Sequence, residues 1–193
     1  MNFICEGIDR LGKDSLIKNL INELGFYQVL HRTKPESLDF YLQEAKDNKL
    51  ENLKNAELFL YQRACFSQDM ALLKIAELLK LNIIFNRGWL GEAVYAPLYR
   101  GYSGDYVFEL EKIAGIDKLS NTRLILLTED FSKATHFCDD GNSLGTSDKR
   151  ASEQELFKKA FDRSLIADKK IICVTGEDGN FRAKEDILKD ALT

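Results

Sequence analysis

A stretch near the start of the chain, Gly7-Ile8-Asp9-Arg10-Leu11-Gly12-Lys13-Asp14-Ser15, has the residue types and spacing to hold a polyphosphate. Glycines let the backbone curl until successive N–H groups point inward at phosphate oxygens. A helix starting just after the loop adds its positive N-terminal end, and Lys13 is placed to reach the β- and γ-phosphates. The loop has the flanks it needs. Phe3-Ile4-Cys5 reads as a buried strand, and Asp14 to Leu24 carries Leu16, Ile17, Leu20, Ile21 and Leu24 at helical spacing, closed by Gly25. One position departs. The motif calls for Ser or Thr directly after the lysine to hold magnesium, and this chain has Asp14, then Ser15. Both are candidate metal-side residues, and Asp14 could equally be a helix-capping acid. The alternative for the whole stretch is a glycine turn ahead of an ordinary helix.

Phosphoryl transfer asks little covalent chemistry of a protein. It needs positioning and positive charge around an in-line transfer between two oxygens. The residues able to supply this are Lys13, Arg10, Arg32 or Lys34, and Arg87, with Lys149-Arg150 contributed by a polar stretch that could close as a lid. Neither His31 nor His136 has a Cys or Ser partner arranged as a catalytic set.

The elements that must position these groups alternate regularly. Short apolar runs, Phe26 to Leu30, Asn82 to Phe85, Arg123 to Leu127 and Lys170 to Val174, join Phe3-Ile4-Cys5 as five strands. Between them lie amphipathic segments. Ser37 to Leu79 is helical in character with a break near Asn48, and Leu58, Tyr61, Cys65, Leu72, Ile75, Ala76 and Leu79 keep helical spacing. Glu153 to Ala167 and Ala183 to Leu192 flank the last strand. Uniformly apolar strands alternating with helices predict an α/β fold, a parallel sheet covered on both faces. The long polar stretch, Thr135 to Ser152, reads as a mobile loop, and residues 136–152 as the lid.

The 193 residues suggest one domain. A formal net charge of −4 argues against a nucleic-acid polymer as partner and favours free nucleotides. No apolar run approaches the ~20 residues that span a membrane. The opening residues meet Glu6 and Gly7 too soon for a signal peptide. Cys5, Cys65, Cys138 and Cys173 match no zinc spacing, so a reducing compartment, the cytoplasm, is expected.

Cys5-Glu6-Gly7-Ile8-Asp9-Arg10-Leu11-Gly12-Lys13 resembles the opening of thymidylate kinases. Leu58-Phe59-Leu60-Tyr61-Gln62-Arg63 resembles that family's Leu-Phe-x-x-x-Arg helix segment, and Ile84-Phe85-Asn86-Arg87 its strand-end Asp-Arg motif. The resemblance covers the first half well and the second half in layout. It implies a three-layer α/β/α P-loop fold with strand order 2-3-1-4-5. It also implies ATP and Mg2+ as cofactors, a nucleoside monophosphate as acceptor with dTMP leading, and a homodimer through long helices. By the same resemblance, Gly7, Gly12, Lys13, Asp14 and Ser15 hold ATP. Asp9 approaches the acceptor 3′-hydroxyl, and Arg10 stabilises the transferring phosphoryl group. Phe59 stacks on the base while Arg63 bonds its edge, Arg87 holds the 5′-phosphate, and Tyr95 crowds the 2′ position. His31-Arg32-Thr33-Lys34-Pro35-Glu36 falls where an Arg-x-Pro phosphate clamp is usual, and Asn86 replaces the family's Asp. A deoxynucleoside or modified pyrimidine nucleotide as acceptor of a kinase of the same fold, and a non-catalytic nucleotide-binding descendant, are the competing readings.

Other residues keep two readings each. Phe59 could be a core aromatic. Arg63, on an apolar helix, would need an anionic or carbonyl partner if buried. Arg100 is a second phosphate ligand or a salt bridge, and Glu6 a magnesium-side group or a satisfied buried acid. Trp89 and Leu98 are expected to pack, and Gly176 to Asn180 lies where related kinases hold adenine.

Overall fold

The computed structural model of the chain describes residues 1–25, 27–31, 51–133 and 147–193. The elements are β1 (Asn2–Glu6), α1 (Lys13–Leu24), β2 (Gln28–Leu30), α2 (Glu51–Leu78), β3 (Ile83–Asn86), α3 (Leu90–Tyr95), α4 (Tyr106–Ala114), β4 (Thr122–Thr128), α5 (Ser147–Arg163), β5 (Asp168–Cys173) and α6 (Lys184–Leu192). A wide π-helical turn, Ala96–Arg100, follows α3, and a short 3-10 turn, Ile116–Lys118, follows α4.

The five strands form one parallel sheet in the order β2-β3-β1-β4-β5. β1 lies at its centre, with Phe3 beside Ile84 and Arg123, and Cys5 beside Asn86 and Ile125. Its apolar residues are almost wholly buried, as are Leu124 to Leu127 of β4. This explains their unbroken apolar runs, since helices cover both sheet faces. The connections between parallel strands carry those helices. α1 packs with α6 on one side, and α2 packs with α4, and α3 with α5, on the other. α1 buries Leu16, Ile17 and Leu20 and ends where the Gly25 N–H bonds Ile21 O at 2.9 Å. Truncating a fully buried side chain such as Phe3 or Phe85 to alanine would cost about 3–5 kcal/mol.

Three sequence expectations change. The buried side of α2 is Leu58, Cys65, Met70, Leu73 and Ala76, while Ile75 and Leu79 are exposed. Residues 147–152 open α5 instead of continuing a loop, so Lys149 and Arg150 sit on the first turns of a helix. The remainder of the expected lid, 136–146, lies outside the described residues, as do Arg32, Lys34 and the start of the segment expected to be helical from Ser37. Leu98 was expected to pack but is 44% exposed, because it sits on the outward side of the π-helical turn.

A parallel sheet brings all its strand C-termini to one edge, and ligands bind there. Glu6, Asn86 and Thr128 end β1, β3 and β4, so Gly7, Arg87 and Glu129 emerge side by side. No described helix is long and apolar enough to cross a membrane.

Candidate active site: a phosphate loop between two cavities

The loop from Gly7 to Gly12 is shaped by close backbone approach. Gly7 has φ 133°, and a Cβ there would fall 2.5 Å from Leu127 O on the neighbouring strand, so only glycine fits. Arg10 and Arg87 both hold left-handed backbone at φ 68° without being glycine. Each such residue costs about 1–2 kcal/mol, a strain that concentrates at functional sites. Lys13 is 7% exposed. Its Nζ donates to Gly7 O at 2.8 Å and Ile8 O at 2.7 Å, folding the side chain back over the loop. Burial, and then the charge of Arg87, lowers its pKa to about 8. α1 starts behind Gly12, which as its N-cap residue has no side chain to bond the first-turn amides. Lysine and helix end together suit a polyphosphate.

Glu6, directly before the loop, is a satisfied buried acid. One carboxylate oxygen accepts from Gly88 N and Leu90 N, both at 2.9 Å, which ties the end of β1 to the start of α3. Burial pushes its pKa up to about 7.

On one side of the loop a cavity of about 740 Å³, its open mouth included, is bounded by Gly7, Asp9, Asn86 and Arg87 below. Gln62, Phe66 and Asp69 of α2 form one wall, and Glu92, Tyr95, Arg100 and Phe157 form the other. Arg87 Nη2 meets Asp9 Oδ1 at 2.7 Å. Arg100 is ion-paired with Glu92, whose buried carboxylate also accepts from the Tyr102 and Tyr106 hydroxyls at 2.7 and 3.0 Å. Burial, and then the charge of Asp9, raises the pKa of Tyr95.

On the other side a second cavity, about 810 Å³ with its mouth, is lined by Arg10, Leu11, Gly12, Ser15, Leu16, Asn19, Phe181, Arg182, Lys184 and Ile187. Phe181 and Arg182 directly follow the turn Gly176–Asn180, which is closed by Gly176 N donating to Asn180 O at 2.7 Å.

Arg150 reaches the loop from α5. Its Nε and Nη2 donate to Glu129 Oε1 at 3.1 and 2.7 Å, and Nη2 also lies 3.4 Å from Asp9 O. Glu129, wholly buried, is pinned through its own backbone. Its N–H donates to Gln154 Oε1 at 2.7 Å, and its carbonyl accepts from Gln154 Nε2 at 2.9 Å. Burial raises the Glu129 pKa although Arg150 opposes the shift.

No protein-family model and no curated protein matches the chain. Solved structures do. YorR protein from Bacillus subtilis, solved in complex with phosphorylated GDP, is 17% identical with a TM-score of 0.56, over 100% of this chain and 94% of its own. Thymidylate kinase from Ehrlichia chaffeensis is 13% identical with a TM-score of 0.57, over 100% and 96%. Deoxyadenosine kinase from M. mycoides, with bound dCTP, is 14% identical with a TM-score of 0.54, over 98% and 95%. The chain shares the P-loop kinase α/β fold of these structures.

Within that fold the expected site residues divide. Gly7, Asp9, Arg10, Gly12, Lys13, Arg87, Tyr95 and Arg150 converge on the loop and its two cavities. Asp14 and Ser15 are exposed at the exit of the loop, and Lys149 is exposed on α5. Two residues of α2 do not converge. Arg63 is exposed and does not line the cavity, so the premise of a buried arginine needing a partner fails. Phe59 packs edge-on against Tyr102 and Tyr106, with ring centroids 5.4 and 4.9 Å away, as a core aromatic would. Gln62 and Phe66 stand at the cavity instead, because one step along a helix turns a side chain by about 100°. The polar residues Gln62 and Asp69, seven apart with Phe66 between them, are the sequence signal that could have marked this face. Glu129 carried no such signal.

Magnesium takes oxygen ligands, and one or two carboxylates together with substrate phosphates hold it. The exposed Asp14 carboxylate and Ser15 hydroxyl at the exit of the loop fit that donor chemistry. Among the described residues no three His, Cys, Asp or Glu side chains converge as a self-sufficient metal site, as a phosphate-assisted one does not require.

Proposed function

We propose that the chain is an ATP-dependent kinase that transfers the γ-phosphoryl group to a nucleoside 5′-monophosphate, with dTMP the first acceptor to test. The observation that carries this reading is a phosphate loop with one cavity on each side. Gly7 and Asp9 line one, and Arg10, Leu11, Gly12 and Ser15 line the other. Donor and acceptor could then meet end to end across the loop, as in-line transfer needs.

In this reading the more apolar cavity, with Phe181 and Arg182, takes the adenine end of ATP. The loop amides and Lys13 hold the β- and γ-phosphates, with Asp14 and Ser15 on the magnesium side. Magnesium supplies neutralisation of charge on the β- and γ-phosphate oxygens. Arg10 and Arg150 bring positive charge to the transferring group. Arg87 holds the acceptor phosphate, Asp9 and Tyr95 border its sugar, and Phe66 and Gln62 border its base. A carboxamide both donates and accepts, so Gln62 suits keto and amino edges alike.

A second reading, a nucleoside as acceptor, is favoured by one observation. Both guanidinium groups lining the acceptor cavity are already ion-paired, Arg87 with Asp9 and Arg100 with Glu92. An uncharged acceptor would leave those pairs intact. A coupled ADP-release assay across nucleoside monophosphates and nucleosides separates the two. dTMP turnover above every nucleoside supports the first reading, the reverse order supports the second, and no turnover with either overturns both.

The exposed side of α2 supports a homodimer. Leu60, Ala64, Ser67, Ala71, Ile75 and Leu78 lie along it, spaced so that an antiparallel copy would set Leu60 against Ile75 and Ala64 against Ala71. Sedimentation of wild type and Ala64→Glu tests this. The described cysteines, Cys5, Cys65 and Cys173, are free thiols, which supports a reducing compartment such as the cytoplasm.

A further inference from the structure

The two positions at which this chain departs from the magnesium pattern of its loop touch each other. Asn86, the last residue of β3, donates from Nδ2 to Asp14 Oδ1 at 2.6 Å. The usual arrangement has a hydroxyl after the lysine and a carboxylate at the strand end. Here the carboxylate follows the lysine and an uncharged amide ends the strand. The site keeps a single negative charge, moved from one side of the contact to the other.

The geometry suits a division of labour. Asn86 is buried, 8% exposed, and its backbone is held in register beside Cys5. It is a fixed donor. Asp14 is exposed on the first turn of α1, one residue after Lys13. The bond from Asn86 engages Oδ1 and restricts the carboxylate to one orientation, with Oδ2 the oxygen that Asn86 does not engage. If Asp14 merely complemented the helix end, no buried partner across the sheet would be required to hold it.

We infer that Asp14 and Asn86 have exchanged roles, with Asp14 supplying the carboxylate for the divalent cation that accompanies ATP and Asn86 acting as the positioning residue that aims it. This rests on the ATP-kinase reading above. It has a consequence for binding that is separate from turnover. A carboxylate beside the phosphate loop repels a triphosphate when no cation lies between them. The chain therefore depends on magnesium for ATP affinity more than a loop with serine at this position would.

The test is ATP binding by calorimetry, without acceptor, in Mg2+ and in EDTA, for wild type, Asp14→Ser, Asn86→Asp and the double variant. Wild type should bind ATP at least about a hundredfold more tightly with Mg2+, and Asp14→Ser should compress that ratio by about tenfold or more, largely by improving the EDTA value. The double variant, which restores the usual arrangement, should recover the wild-type ratio. Asn86→Asp alone, with two carboxylates in contact, should bind least in EDTA. Asp14→Asn, nearly isosteric with wild type, makes the same comparison if Asp14→Ser fails to fold. A ratio unchanged by loss of the Asp14 charge, or not recovered in the double variant, overturns the inference while leaving the kinase reading in place. Wild type that binds no ATP under either condition overturns both.

Discussion

Arg87 Nη2 lies 2.7 Å from Asp9 Oδ1, which ties the end of β3 to the phosphate loop through side chains that are 56% and 51% exposed. An ion pair this open contributes about 0–1 kcal/mol to stability, so an incoming phosphate could replace Asp9 as the partner of Arg87 at little cost. Arg87→Ala should therefore leave thermal unfolding within about 0.5 kcal/mol of wild type. If Arg87 holds the acceptor phosphate, the same variant should lower kcat/KM for a monophosphate acceptor by about a hundredfold, since it removes a charge-assisted contact. A nucleoside acceptor would lose far less, so the variant also reports on the charge of the acceptor.

Arg10 supplies a second stability test. It holds φ 68° in the loop. Arg10→Gly removes a left-handed strain of about 1–2 kcal/mol, partly offset by the greater freedom of glycine in the unfolded chain. The Arg10 side chain also makes interactions of its own that the variant loses, so chemical denaturation should show it within about 1 kcal/mol of wild type. kcat should nevertheless fall, because the charge proposed to face the transferring phosphoryl group is gone. A destabilised variant with normal kcat would reverse the assignment.

The buried ammonium of Lys13 predicts a pH dependence. Folding lowers its pKa from 10.5 to about 8, mainly through burial. The charged form is therefore disfavoured in the fold. It costs stability below about pH 8, and that cost fades as pH rises through the interval to 10.5. ATP affinity should move the other way, holding below about pH 8 and weakening above it as the amine loses its proton. Calorimetric titrations from about pH 6 to about pH 10 would show the midpoint. In Lys13→Arg that midpoint should vanish, since arginine stays charged throughout.

Base recognition should follow the cavity wall and not the sequence resemblance. Arg63→Ala, at an exposed position outside the cavity, should leave KM for the acceptor within about twofold and stability within about 0.5 kcal/mol. Gln62→Ala and Phe66→Ala should each raise KM for the acceptor by about tenfold or more, through loss of a hydrogen-bonding group and of a stacking surface. Steady-state kinetics on the three variants would show which face of α2 reads the base.

Arg150 and Glu129 should behave as one unit. Glu129→Gln keeps the size of the side chain but removes the charge that holds the guanidinium beside Asp9. It should lower kcat with little change in KM for ATP, and combined with Arg150→Ala it should add almost nothing to the single loss. Additive losses in that double-mutant cycle would separate the two residues.

What the sequence determined by itself is local. Glycine spacing, the lysine after it, and the apolar runs on either side report on a handful of neighbouring residues. They sufficed for the phosphate loop, the parallel sheet and its five strands, because backbone curvature and burial on both faces constrain composition directly. Arg10 and Lys13 were legible as candidates for the same reason, and so was Arg87, at the end of a recognisable strand, while Asp9 was singled out only by the family resemblance of its loop. The rest depended on phase and partner. Whether Gln62 or Arg63 faces the cavity is a rotation of about 100° that an apolar pattern around the whole helix cannot resolve, and packing of Met70, Leu73 and Ala76 into the core decides it. Glu129, buried under Arg150 and held by Gln154, has no sequence signature, since its partners lie more than twenty residues away on another element. The contact of Asp14 with Asn86 spans 72 positions. In sequence these were two separate departures from a motif. Only the adjacency of β3 to β1 and its loop made them one arrangement.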